Sequence, residues 1–448
     1  MLVTARLITA LLGLPLAALL AVLLGAAPND GAPTAEAVRA QALAQGFGPL
    51  PPPAPVRSEL VDLGRLLAFD KVLSGNHDIS CMTCHHPTYG TGDGRRLSFG
   101  TGGRGLGPQR QQATGLIIGR NSPPLFNLHA LPALFLDGRV AQMADGYHTP
   151  AGGELPRSML ATLEFGPLAA LPLFPVLARD EMRGFGGNEF GGNELAALPS
   201  DDPGAIWAAL MARLGRIPQY QHLFEAAYPD TPFEQMSFAH ASNAIAAFLV
   251  ADLSFTDAPW DRFLAGDETA LSRSELAGAK SFLDLACAEC HSGPALSDGE
   301  FHNVALAQFG PGLGDGPGGH DDYGRYRVTG DLADRYAFRT PGLRNVELTA
   351  PYGHAGQFAD LAAFVAHYSE SADRLRDYGA DLAPDLRETL LDNTEAVLAT
   401  RDELLDGVEF ADTDVTALVT FLEALTDDDA RDLGYLVPER VPSGLPVD

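Results

Sequence analysis

Hydrophobic positions along this chain recur at helical spacing, and alternating strand patterns are absent. From Ser58 onward, Leu60, Leu63, Leu66 and Leu67 mark one face of an amphipathic helix running toward Cys81. A second helical stretch, about 205–250, carries Trp207, Leu210, Leu214, Ile245, Phe248 and Leu249. A third begins at the capping box Ser272-Arg-Ser-Glu275, with Leu276, Ala279, Phe282 and Leu283 as its stripe leading to Cys287. Asp360 caps another, striped by Leu361, Phe364, Val365 and Tyr368, and Thr413 is expected to cap a last one with Val415, Leu418, Val419 and Leu422. The apolar run Leu7–Leu24 behind Arg6, ending in Gly25, Ala26 and Ala27, reads as a signal peptide over 1–27, with a membrane anchor as the rival. Residues 28–56, rich in Ala and Pro, read as a linker.

The chemistry lies where two of these helices end. Cys81-Met-Thr-Cys84-His85 and Cys287-Ala-Glu-Cys290-His291 are each Cys-x-x-Cys-His, the attachment pattern of a c-type haem. Two thiols at that spacing reach the two vinyl groups of one porphyrin, and the following His becomes the proximal iron ligand. Zinc sites built from Cys pairs space them by about 15–20 residues, far closer than here. A dithiol would leave the trailing His unexplained. These are the only four cysteines of the chain, so none remains for a disulfide. The fold class is therefore mainly α: two cytochrome c-like domains, 57–260 and 261–430, each with one covalent haem, followed by a tail, 431–448.

Composition narrows the partners. With 46% hydrophobic residues, the 448-residue chain can bury more than one core. A formal net charge of −28 excludes nucleic acid and suits a small basic redox protein as donor, although plain solubility explains it equally well. Covalent haem attachment and the N-terminal apolar run together place the protein in the periplasm. The Gly-rich segments 90–108 and 310–324 follow no strand, so they read as haem-flanking loops and not phosphate cradles.

Further motifs carry a family resemblance. Leu73-Ser-Gly-Asn-His-Asp-Ile-Ser-Cys81, Arg120-Asn-Ser-Pro123, Asp137-Gly-Arg139 and the long run Arg339-Thr-Pro-Gly-Leu-Arg-Asn to His354-Ala-Gly resemble bacterial di-haem cytochrome c peroxidases, in particular the MauG branch. The resemblance spans about residue 57 to the C-terminus. It implies that hydrogen peroxide meets the His85 haem, while the His291 haem relays electrons from a small cytochrome or cupredoxin. In a MauG-like role those electrons would come from a protein substrate. A non-enzymatic di-haem electron carrier is the reading from another class.

The resemblance also assigns residues. Family peroxidases often block the first haem with a His after Ser-x-Gly, but here Ser98-Phe-Gly100 precedes Thr101, implying an open haem. If that haem were blocked, His86 or His129 would be the suspects. Glu181, in Arg179-Asp-Glu-Met182 after Gly166-Pro167, is the implied acid–base residue. Counted from His354, Tyr368 falls at the distal ligand position of the second haem, with His367 as runner-up. A Ca²⁺ ion would take Asn121, Thr349 and Pro351. Arg120, Arg139 and Arg344 are propionate candidates, with carboxylate pairing an equal reading, and His354 is expected beside the second haem without binding iron. Leu136 stands where the family usually has an electron-hopping Trp.

Overall fold

The structure, a computed structural model, describes residues 33–113, 116–143, 146–148, 155–186, 192–380 and 382–448. The expected signal peptide or anchor lies outside them, and no helix among the described residues is long and apolar enough to cross a membrane. Two main apolar cores organise the chain.

The first core forms around the helices Ser58–Phe69 and Phe238–Asp252, with Pro203–Leu214 and Pro218–Ala227 packed beside them. Leu60, Leu63 and Leu67 are fully buried, as their spacing requires. The crossing is close because Gly64 has no side chain: a Cβ there would stand 1.7 Å from the Ala244 carbonyl oxygen. The second core repeats the device with Arg273–Asp284 against Asp412–Glu423, where a Cβ on Gly278 would stand 2.1 Å from the Ala417 oxygen. At both cores the glycine-bearing helix leads into a Cys-x-x-Cys turn.

Three expectations need correction. The span 28–56 is more than a linker: Ala35–Ala44 is a helix capped by Thr34, and its buried Val38 and Ala42, with Phe47 beyond, join the second core. Phe47 meets Trp260 and Phe282 edge-on. The tail 431–448 returns to the first domain, burying Leu433, Leu436 and Val441 in its core. Ser443 Oγ there donates to Asp70 (2.6 Å), Lys71 pairs with Asp448 (2.5 Å), and Thr83 Oγ1 also donates to Asp448. Thr413 is not a cap: the last helix starts at Asp412, and Asp414 accepts from the Ala411 N–H instead.

Strands are short. Phe301–His302 pairs with Phe338–Arg339, and Val140–Met143 joins Ala133–Leu134 and Gly146–His148 in a small antiparallel sheet. The two halves of the chain are joined by a buried ionic knot in which Arg120 holds Asp137 (2.8 Å) and Asp322 (2.6 and 2.8 Å). Burying a charge is tolerable only with such pairing.

Candidate functional site

At the first motif, Ser80 caps a single helical turn, Cys81–Cys84, with the Ser80 N–H donating to Thr83 Oγ1. The turn presents His85, whose Nδ1 lies 3.2 Å from the Thr91 carbonyl and 3.1 Å from Ser122 Oγ. A proton on Nδ1 leaves Nε2 with the lone pair a metal needs. Burial pushes the imidazole pKa down to about 4, so it is neutral. Burial also pushes the Cys81 and Cys84 thiols up, to about 11 and about 12.

Glu181 sits in a π-helical turn, Arg179–Arg183, held by its backbone: the Thr101 N–H donates to Glu181 O and the Gly75 N–H to Met182 O, both at 2.8 Å. Gly100 permits that approach, since a Cβ there would lie 1.7 Å from Asp180 O. Although part of its surface is accessible, Glu181 is surrounded by protein. Burial pushes its carboxyl up to about 7, against the opposing pull of Arg139 and Arg120. Its charge raises both Cys81 and Cys84, which places it beside the first motif. Thr101 turns its hydroxyl to Asp78 and Asn76. His86 packs against Phe69 and Tyr89, while His129 bonds Ser254 and borders a separate apolar pocket with Pro53 and Phe165.

The second motif forms the same turn, Cys287–Cys290, and His291 Nδ1 meets the Leu296 carbonyl at 3.1 Å. A cavity enclosing about 1740 Å³ of atom-free space, part of it open solvent, is lined by Cys287, Cys290, His291, His354, Tyr368 and Leu136 among others. A cavity that is mostly apolar and bordered by two thiols and an imidazole has the lining a porphyrin needs. Tyr368 ends the Leu361–His367 helix and is near enough to both thiols for their charge to raise its phenol pKa, already high from burial. His367 turns away from the cavity, its Nε2 2.7 Å from the Val304 carbonyl and its ring among Phe358 and Phe364. His354 stacks on Phe338 at 4.0 Å and hydrogen-bonds Gln308. His302, on the cavity rim, is clamped between Asp402 (2.5 Å) and Asp298 (3.0 Å).

Asn121, Thr349 and Pro351, widely separated in sequence, line one small pocket together with Asp93 and Ser122. Asn121 Nδ2 donates to the Arg95 carbonyl at 2.7 Å, which leaves its oxygen for a cation. Asp93 is 1% exposed, and its Oδ2 has no hydrogen-bond partner. A desolvated carboxylate oxygen among carbonyls is chemistry that suits Ca²⁺.

Of the propionate candidates, Arg120 and Arg344 show the carboxylate pairing that was the equal reading, while Arg139 keeps a buried Nε without a partner. Arg120 holds two carboxylates, Arg344 binds Asp261, and Arg139 reaches Asp137 at 3.4 Å. Sequence reasoning passed over Arg339, Asp93 and His302. Arg339 stood in a quoted motif, but nothing in its spacing marks it as lining a cavity.

A family model described as di-haem cytochrome c peroxidase matches residues 58–269. The chain is 31% identical over 337 residues to cytochrome c551 peroxidase of Pseudomonas aeruginosa, covering 75% of this chain and 78% of that protein. It is 30% identical over 337 residues to methylamine utilization protein MauG of Methylorubrum extorquens, covering 75% and 76%. Among solved structures it resembles a MauG-like protein associated with microbial copper homeostasis, with a TM-score of 0.60, 26% identity and coverage of 87% and 96%. The di-haem peroxidase BthA from Burkholderia thailandensis shares the fold at a TM-score of 0.57 and 21% identity, over 88% and 91%.

Proposed function

This chain belongs to the di-haem cytochrome c peroxidase family, and from that premise we propose that it is a periplasmic peroxide-dependent oxidoreductase with its peroxide site at His85. Cys81 and Cys84 would hold one haem and Cys287 and Cys290 the other, with His85 and His291 as proximal ligands and Tyr368 as the second iron's distal ligand. Bound there, the haems supply an iron open to peroxide at the first site and an electron relay at the second. Asn121, Thr349 and Pro351 would hold Ca²⁺ between them.

Glu181 carries the reading. A carboxyl that titrates near neutrality can take a proton from one peroxide oxygen and return it to the other, so that water leaves. Two protons and two electrons then complete the reduction of one peroxide to two waters. Thr101, its hydroxyl committed to Asp78, leaves the position of the expected blocking His without an imidazole.

A second reading, oxidation of a protein substrate in MauG fashion, draws on the Tyr368 position in the second cavity. Both readings require peroxide chemistry, so one experiment tests them together. Stoichiometric peroxide added to the as-isolated holoprotein should abolish a high-spin ferric EPR signal. In E181Q the rate should fall about 10²–10⁴-fold, the range for loss of a general acid–base. Two low-spin signals indifferent to peroxide would mean an electron carrier, or a peroxidase locked by a distal ligand such as His86 or His129.

A further inference from the structure

Buried arginines in this molecule satisfy their guanidinium groups in one of two ways. Arg120 and Arg344 meet carboxylates. Arg110 and Arg183 spend all three guanidinium nitrogens on carbonyl or hydroxyl oxygens. Arg339 does neither. It is 6% exposed, with one sound hydrogen bond from Nη1 to Thr340 O (2.9 Å) and a long one from Nε to Phe135 O (3.4 Å). Among the described residues its Nη2 has no acceptor and no carboxylate offsets its charge, so desolvation alone acts on it.

A guanidinium does not shed its proton to escape burial, so a nitrogen left without an oxygen acceptor calls for one, and an anion offsets the desolvation best. Arg339 lines the second cavity with His291 and Tyr368. It is fixed there by the Phe301–His302 pairing and by its own N–H, which donates to Leu136 O at 2.7 Å. The other charged groups at that cavity are already committed: Asp402 to His302, and His302 to Asp402 and Asp298. His354 is neutral, held well below the usual histidine range by burial. The acceptor that Nη2 lacks is therefore sought in a ligand of that cavity, and a planar carboxylate both matches the guanidinium fork and offsets its charge.

We propose that Arg339 anchors a propionate carboxylate of the second haem. This rests on the di-haem reading above, and the test separates the two. R339Q and R339K are first assayed for haem by the pyridine haemochrome method; fewer than two haems per chain in the unmodified protein would refute the di-haem reading itself. In R339Q an uncompensated propionate stabilises ferric iron. The reduction equilibrium of the second haem should shift at least tenfold toward ferric, 59 mV for one electron, and more at pH 8.5 than at pH 5.5. R339K should recover most of that shift. A two-haem R339Q with an unchanged potential across this range overturns the proposal. If R339Q loses the second haem, the unmodified holoprotein decides, through redox-difference infrared spectra with ¹³C-labelled propionates. A propionate of the second haem still ionised at pH 5.5 supports the anchor, and protonation of both overturns it.

Discussion

The role proposed for Glu181 rests on a proton affinity that its surroundings set. Burial costs the ionised carboxylate its hydration, and the nearby Arg139 and Arg120 recover only part of it, so the carboxyl titrates near 7 instead of 4.5. Only the ionised form can accept the peroxide proton. The second-order rate with peroxide should therefore fall about tenfold per pH unit below 7 and level off above it. Stopped-flow kinetics from pH 5 to 9 check this, and the limb should vanish in E181Q; a limb that persists there belongs to another group. At the second site, Tyr368→Met would replace a phenolic oxygen with a thioether, which favours ferrous iron. The midpoint potential of that haem should rise in Y368M, read by spectroelectrochemistry, and an unmoved potential would remove Tyr368 from the iron. Residues of this kind differ in how visible they are in sequence. The Cys-x-x-Cys-His turns stand out because porphyrin attachment would demand their spacing, whereas Tyr368 stands out only through the family resemblance, counted from His354. Arg339 and Asp93 do not, since what distinguishes them is a partner they lack, and that emerges only when the chain is folded.

Among the elements, the helices leading into each motif followed their apolar stripes closely: Ser58–Phe69 and Arg273–Asp284 begin at or beside the residues expected. The last helix was placed near Thr413, but its start is decided by the longer reach of the Asp414 carboxylate back to Ala411. Stripes identify a buried face without saying how closely another helix approaches it. Gly64 and Gly278 supply that closeness, each facing a carbonyl oxygen at a distance no methyl group can share. Gly64→Ala and Gly278→Ala should each destabilise by about 1–3 kcal/mol, the usual cost of overpacking, despite the better helix propensity of Ala. Chemical denaturation of the holoprotein measures this; a neutral outcome would mean that the paired helices can separate freely.

Across the whole molecule, two segments pack on the core farther from them in sequence. The Ala35–Ala44 helix rests on the second core, and residues 433–441 complete the first. Composition hid both: Pro51, Pro52 and Pro53 suggested a linker, while Val38 and Ala42 alone make too short a stripe to declare a helix. Leu436, 2% exposed in the first core, offers a test. L436D should lower the melting temperature of the first domain while sparing the second. Trp207 and Trp260, one in each core, report the two separately when each is replaced in turn by Phe. Equal loss in both domains would show instead that they melt as a single unit. The acidic surface has a separate consequence: reduction by a small basic donor should slow as salt rises, and a rate indifferent to ionic strength would reduce the −28 charge to a solubility device.

The returning tail also bears on how the protein is made. Residues 433–448 leave the ribosome after both haem motifs, yet they supply part of the first core and bring Asp448 to Thr83, inside the first Cys-x-x-Cys turn. The first domain is begun early and finished late. If the chain is exported before it folds, as proposed, its Cys81–Cys84 turn would stay loosely framed for as long as the rest of the chain takes to follow. A maturation enzyme joining haem to Cys81 and Cys84 would meet an open, unfinished pocket, and the tail would then close the domain around the completed cofactor.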